Sequence, residues 1–334
     1  MLYSMIDTEQ IRSNPAQLKA LTSLEPEEFD ALLSPFRHRW HQYHKHYTLL
    51  GKRRKRPRIK YKKPTKTLPG PSTKLLFVLM WFKTNSIQQQ LAAEFGLRQS
   101  HVSHWLRALR PILQQAIEDL HCQPAKDMDE LIRLFRQRSG PPGSGGAPDT
   151  LNMDVTERPI GRNLDDAAQR DDYSGKHHGH HLKNTVLCDE YQFVHFAGQT
   201  WNGSVHDSTM AVEELPSLEA LKPYGLWFSK DKGYQGYRPE GAHLIEPFKA
   251  RRNHPLTELE KEYNAWASSI RSVVEHAIGG IKRLALLSRP MRYWKQDIRH
   301  QIFIIGCGLH NLRVRFRSAA YARGAQRVRA RLNF

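Results

Sequence analysis

Three carboxylates from separate segments are the side chains with the clearest chemical potential. Asp154 lies in LNMDVTERPI and Asp231 follows LWFSK, and both segments have the composition of short strands. Glu275 lies in IRSVVEHAIGGIKR, whose apolar residues recur with helical spacing. Strand ends often present acids at one edge of a sheet, so we expect the two aspartates to meet there. Three carboxylates could hold two Mg²⁺ ions, which activate a water and stabilise the leaving oxygen in phosphodiester chemistry.

Two cations share the helical segment with Glu275. Arg271 precedes it by four residues and Lys282 follows it by seven, so a 3.6-residue helix places all three on nearly one face. The alternative is a solvated ion pair, which contributes only about 0.2–0.5 kcal/mol. Beside metal-binding acids, Arg271 and Lys282 would instead hold phosphates, and we predict that they act with the three acids.

Asp207, in GSVHDST, is an alternative second metal-binding acid. Asp followed by Ser and Thr also suits a helix N-cap, and the order of the strands favours Asp231 over Asp207.

A basic segment between the first two predicted strands contains four histidines: His177, His178, His180 and His181. The interpretation we favour is a DNA-facing segment, with a solvated loop or a zinc site as alternatives. Lys176 and Lys183, which flank the histidines, are predicted to contact phosphate.

The net charge identifies the class of partner. The 334 residues carry a formal charge of +18, which points to a polyanion, nucleic acid ahead of an anionic membrane. No segment approaches the roughly 20 apolar residues of a membrane span. The three cysteines are far apart and form no metal-binding or disulfide pattern. With no signal-peptide pattern at the start, we expect a bacterial cytoplasmic, nucleoid-associated protein.

Residues 72–119 predict three helices. STKLLFVLMWFKT has Ser72 as its N-cap, SIQQQLAAEFG ends at Gly96, and the third helix starts at about Gln99. The last two, joined by a short Gly-containing turn, have the shape of a helix-turn-helix, although an ordinary helical hairpin is the alternative. The outer side of the third helix carries residues suited to reading bases in the major groove: Gln99, Ser100, His101, Ser103, His104 and Arg107.

The segment GKRRKRPRIKYKKPTK, residues 51–66, holds ten Lys or Arg residues and two prolines. Because like charges repel and proline blocks helices, we predict a flexible arm. Its first cations are expected to contact the nucleic-acid backbone: Lys52, Arg53, Arg54, Lys55 and Arg56.

Composition shifts divide the chain. The prediction is an N-terminal helical segment (1–50), a basic arm (51–71), a helix-turn-helix domain (72–137), a Gly/Pro linker (138–150), an α/β domain (151–316) and a basic tail (317–334).

The chain resembles a known family of proteins in most of these segments. MDVTERPI, YSGKHHGHHLKN, GSVHDST, SKDKGYQG, RSVVEHAIGGIKR and GLHNLRV occur in an order typical of insertion-sequence transposases of the IS-five type, whose catalytic module also occurs in Harbinger-like transposases. The resemblance implies an α+β multidomain protein in which an all-α helix-turn-helix domain precedes an RNase-H-like catalytic domain. It also implies a DDE triad of Asp154 on the first strand, Asp231 on the fourth and Glu275 on the following helix.

The function expected from this resemblance is that of a DNA transposase. It would bind terminal inverted repeats of double-stranded DNA, cut strands with two Mg²⁺ ions (Mn²⁺ could substitute) and join them to a target, as a homodimer or larger assembly. The alternatives are a catalytically silent or domesticated transposase that only binds DNA, and a nuclease of the same fold that joins no strands.

Overall fold

The computed structural model describes residues 6–58, 68–231, 233–234, 236–250 and 255–317. It divides into two compact units. The first contains residues 1–123, 282–289 and 304–313, and the second contains 124–281, 290–303 and 314–334. The predicted basic tail lies, from residue 318 onward, outside the described residues.

The first unit is all-helical. Its helices are α1 (Thr8–Ser13), α2 (Pro15–Thr22), α3 (Pro26–His46), α4 (Pro71–Thr84), α5 (Gln88–Glu94) and α6 (Gln99–Asp119), and the short α11 (Ala285–Ser288) packs on α4. The central helix α4 is apolar on all sides and buries nine consecutive residues, 74–82. Its N-cap is Gly70, two residues before the predicted N-cap Ser72. The helix begins at Pro71 because proline suits the first turn of a helix.

The predicted helix-turn-helix segment contains α5, a turn at 95–98, and α6. Gly96 has φ +61°, a left-handed conformation that glycine adopts without strain. On α6, Val102, Leu106 and Leu109 are buried, while His101 and Arg107 are exposed. The predicted outer side of the third helix therefore faces solvent at His101 and Arg107, and the side that carries Val102 is buried.

The beginning of the predicted flexible arm is folded. Residues 47–58, which we call the basic hairpin, turn at Gly51 and run back along the end of α3 through a bridge between Tyr47 and Arg53. The Arg54 guanidinium donates to the His44 carbonyl at 3.2 Å, and Arg58 Nη1 lies 3.3 Å from His44 Nε2. Burial lowers the pKa of His44 to about 4, so its ring is neutral and can accept from Arg58. Residues 51–58 of the predicted arm thus make defined contacts with the end of α3, and 59–67 lie outside the described residues.

The second unit is built on a mixed sheet. Its strands are β1 (Thr150–Pro159), β2 (Tyr173–Ser174), β3 (Gly179–Asp189), β4 (Val194–Ala197), β5 (Trp201–Asn202), β6 (Trp227–Lys230) and β7 (His243–Ile245). The main strand order is β2-β3-β1-β6-β7, and β4 and β5 also pair with β3. β1 is antiparallel to β3 but parallel to β6, and β6 is parallel to β7. This arrangement confirms the predicted RNase-H-like, α+β fold class.

The helices of this unit are α7 (Met128–Ser139), α8 (Asp166–Asp172), α9 (Asp207–Glu214) and α10 (Glu258–Ile281), together with a 3-10 helix (Glu219–Tyr224) and the ends of α12 (Gln296–Phe316). α7 packs through Leu131 and Phe135 on the core of the sheet. It therefore folds with the second unit, whereas we had placed it with the helix-turn-helix. The predicted linker at 138–150 connects α7 to β1 inside this unit.

Alternation along the strands gives the sheet two distinct faces. One face carries Met153, Val155 and Phe228, which pack with α9 residues in the main core. The other face carries Trp227 and Ile245, which pack with Ala267 and Ile270 of α10. Asp154 follows Met153 and precedes Val155, so it belongs to the α10 face.

None of the helices in the described part of the chain is long and apolar enough to cross a lipid bilayer.

Candidate active site

Asp154 and Asp231 are neighbours across two strands. The parallel pairing of β1 with β6 ends at Met153 and Lys230, and the two aspartates are the next residue on each strand. Asp154 is the fifth of ten residues in β1, not at the strand end as we predicted, because β1 continues as a partner of β3. β6 ends at Lys230, so the two acids meet at the end of β6.

Arg271 connects the second acid to the third. Its Nη1 lies 3.3 Å from Asp231 Oδ1 and 3.1 Å from Glu275 Oε1. Glu275 and Arg271 are four residues apart on α10, as the helical spacing predicted. The side chains of Asp231 and Glu275 are 45% and 50% exposed, so a ligand arriving from solvent can reach both.

The pKa of Asp154 is raised to about 6, mainly by burial. The Val155 N–H donates to its Oδ1 at 2.8 Å, which favours the ionised form and opposes the effect of burial. Lys176 and Arg271 also lower this pKa, while Asp231 raises it. Asp154 is therefore a buried acid whose ionisation depends on the charges around it.

A cleft of about 220 Å³ opens beside Asp231 and Arg271. Its wall includes Asn264 and Ser268, which lie seven and three residues before Arg271 on one stripe of α10. The Asn264 side chain makes two hydrogen bonds with the backbone of Phe248, at 2.7 and 3.0 Å, which hold the segment after β7 against α10. We did not predict a role for Asn264 or Ser268, although their helical spacing from Arg271 would have indicated one.

Asp207 lies on the opposite face of the sheet from Asp154. It is the first residue of α9 and accepts a hydrogen bond from Lys183 Nζ at 3.0 Å. Lys183 pairs across the strands with Glu157, on the face of Met153 and Val155. The N-cap of α9 is His206 and not Asp207. The pairing of Asp207 with Lys183 thus lies on the face of Met153 and Val155.

Lys183 is not available to a DNA phosphate, contrary to our prediction. It is 9% exposed, and its ammonium also donates to the Val205 carbonyl at 2.9 Å. Lys176, in contrast, is exposed in the turn between β2 and β3 and acts electrostatically on Asp154.

The four histidines flank the same turn without converging. The rings of His177 and His181 lie 5.1 Å apart, and His180 packs edge-on against Tyr173. His180 and His181 are consecutive in β3 and so point to opposite faces.

Among the described residues, no three His, Cys, Asp or Glu side chains are grouped closely enough to hold a metal ion, and this includes the three acids. Their chemistry nevertheless fits a hard divalent cation, since all three are carboxylates on one face of the sheet. What separates Asp231 from Glu275 is the Arg271 guanidinium. Lys282, the fifth residue of the predicted set, follows the last residue of α10.

Comparison with known proteins gives family matches in both parts of the chain. Residues 153–311 match the family model of the DDE superfamily endonuclease, and residues 66–119 match the model of the helix-turn-helix of DDE superfamily endonuclease. A relative described as the probable transposase for insertion sequence element IS702, from Microchaete diplosiphon, is 26% identical over 246 residues, which cover 70% of this chain and 80% of that protein. No solved structure matches the chain. With its mixed sheet, its acids on one face and the helical module before them, the chain belongs to the DDE superfamily of transposases and carries an N-terminal helix-turn-helix.

Proposed function

We propose that this protein binds the terminal inverted repeats of an insertion sequence, cuts the element's ends and joins the freed 3′ ends to target DNA. The observation that carries the proposal is the set of three carboxylates, from β1, the end of β6 and α10, on one face of the sheet. Two cations, Arg271 and Lys176, act electrostatically on Asp154 in this set.

Asp154, Asp231 and Glu275 would hold Mg²⁺ at this site. Bound there, the ions would activate the attacking water or hydroxyl and stabilise the leaving oxygen. Arg271 would bind a non-bridging phosphate oxygen, and Lys282 would bind a phosphate of the same DNA strand. Lys176, exposed near Asp154, would hold the backbone next to the scissile phosphate.

The helix-turn-helix would supply recognition of the ends. Polar side chains near the start of α6 would reach base edges in the major groove, as in other proteins that use this motif. Two ends have to be cut and joined in one reaction, so we propose a dimer or larger assembly on DNA.

Arg107→Ala is expected to weaken binding to the end sequence by about 1–3 kcal/mol, the usual contribution of a bidentate base contact. The affinity for non-specific DNA should change much less, because it depends mainly on contacts between basic side chains and the DNA phosphates. Fluorescence anisotropy with end DNA and a scrambled duplex measures both. Gln115→Ala, an exposed change two turns further along α6, is the matched control. An equal loss on both duplexes would count against base reading by Arg107.

The cations of the basic hairpin form two groups, one in contact with His44 and one exposed to solvent. Arg54 and Arg58 contact His44, and the four exposed cations Lys52, Arg53, Lys55 and Arg56 take part in none of the ion pairs found among the described residues. A folded hairpin presents these charges without the entropy cost of ordering a flexible chain. We infer that the exposed four contact the DNA backbone and that Arg54 instead holds the hairpin in place.

Single alanine variants of the four exposed cations should each reduce the slope of log affinity against log salt by about 0.9. The slope comes from titrations of a random duplex at several salt concentrations. Arg12→Ala, which removes the same charge from a guanidinium paired with Asp30, should leave it unchanged. Four variants with the wild-type slope would exclude the hairpin from the DNA interface.

An assay with the element's own end DNA and Mg²⁺ tests the proposed function as a whole. Cut ends and joined product support a transposase. Cut ends without joining would favour a nuclease, and binding without cutting would favour a protein that only binds DNA.

A further inference from the structure

A guanidinium lies where two of the three acids would share a metal ion. One nitrogen of Arg271 contacts Asp231 at 3.3 Å and Glu275 at 3.1 Å, and these acids come from different elements, the end of β6 and α10. The contact with Glu275 alone would be an ordinary pair within a helix. The second contact, across to the sheet, makes Arg271 a bridge between the acids.

A divalent cation and this guanidinium cannot occupy the position together. Mg²⁺ holds its oxygen ligands at about 2.0–2.1 Å, whereas Arg271 holds the two carboxylates more than 3 Å from its nitrogen. The positive charge of Arg271 would also repel the ion. The arrangement is thus one in which an internal cation neutralises acids that otherwise repel one another.

We propose that Arg271 is the internal counter-ion of the metal-free site and that a divalent cation binds fully only when the guanidinium has left the acids. This inference rests on the proposed function, because the acids must be the metal-binding set. A phosphate oxygen of bound DNA is the partner to which Arg271 transfers, since guanidinium groups bind phosphate in two-pronged geometry. Metal binding and DNA binding then favour one another by the same factor. An enzyme without DNA would keep its metal site largely closed.

The test is a titration with Mn²⁺ in the absence of DNA. The electron paramagnetic resonance signal of free Mn²⁺ measures how much of the ion is bound. Arg271→Gln is expected to bind Mn²⁺ about tenfold more tightly than the wild type, because a unit charge near the ion is removed. Arg271→Lys keeps the charge and should stay within about threefold of the wild type. Without metal, Arg271→Gln should also melt at a lower temperature than the wild type and should gain more from added Mn²⁺.

Arg238→Gln is the matched control. Arg238 lines the second cleft beside Asp231, of about 340 Å³, but its guanidinium pairs with Glu246. Removing its charge should leave Mn²⁺ affinity nearly unchanged. If Arg271→Gln binds Mn²⁺ no more tightly than the wild type, or if Arg238→Gln shows the same gain, the inference is overturned.

Failure of the proposed function can be recognised separately, because the binding experiment contains no DNA. A wild type that cuts no end DNA, together with tighter Mn²⁺ binding by Arg271→Gln, would refute the proposed reaction and support the counter-ion. Normal cutting by the wild type, together with unchanged Mn²⁺ affinity of Arg271→Gln, would support the proposed reaction and refute the counter-ion.

Discussion

Asp154→Asn, Asp231→Asn and Glu275→Gln are each expected to lower the rate of end cleavage by about a thousandfold or more, which corresponds to about 4 kcal/mol of transition-state stabilisation. Each change keeps the size of the side chain and removes one negative oxygen ligand. Without that ligand, Mg²⁺ is held weakly and the charge that develops on the phosphate is not neutralised. Cleavage and joining should both be lost, and binding to end DNA should remain, because the helix-turn-helix lies in the other unit. Single-turnover cleavage with labelled end DNA measures the effect.

Asp207→Asn is the control for this set. Its carboxylate pairs with Lys183 on the face of the sheet opposite Asp154, so we expect less than about a tenfold loss, through local loosening of α9. If Asp207→Asn abolished cleavage while Asp231→Asn retained it, the second acid would have to be reassigned.

Asp154→Asn is also expected to stabilise the metal-free protein at neutral pH, by up to about 3 kcal/mol. Burial raises the pKa of Asp154 to about 6 in the fold, from its ordinary value of 3.8. The folded state therefore binds the proton more tightly than the unfolded state does. Its stability falls as the pH rises from about 3.8 to about 6, and the full penalty of the buried charge is present above that range. Asparagine resembles the neutral acid and avoids the penalty.

Urea unfolding at pH 5 and pH 7.5, in a chelator, measures this difference. The advantage of Asp154→Asn over the wild type should be larger at pH 7.5. Glu262→Gln, a change of an exposed carboxylate on α10, controls for the loss of one negative charge. An advantage independent of pH would mean that the ionisation of Asp154 is not its source. In the wild type, cleavage should decline as the pH falls below about 6, because protonated Asp154 is a poor metal ligand.

Local features of this protein could be predicted from its amino-acid sequence alone. The inner and outer sides of α6 follow from a 3.6-residue period, and the pairing of Arg271 with Glu275 follows from a spacing of four. The fold class was implied by the family resemblance, which rests on motifs spread along most of the chain. The two predictions about helices succeeded because each depends on residues within a few turns of one another along one element.

Which side chains meet depends on the packing of elements that are distant in sequence. Asp154 lies in the middle of β1, and it reaches Asp231 because the register with β6 ends one residue earlier. The same alternation places Lys183, the partner of Asp207, on the opposite face, and a shift of the register by one residue would have turned Lys183 to the α10 face. The basic hairpin is folded because the His44 carbonyl and ring accept from arginines ten and fourteen positions later. In each case the deciding partner is distant in sequence, so a local pattern carries no information about it.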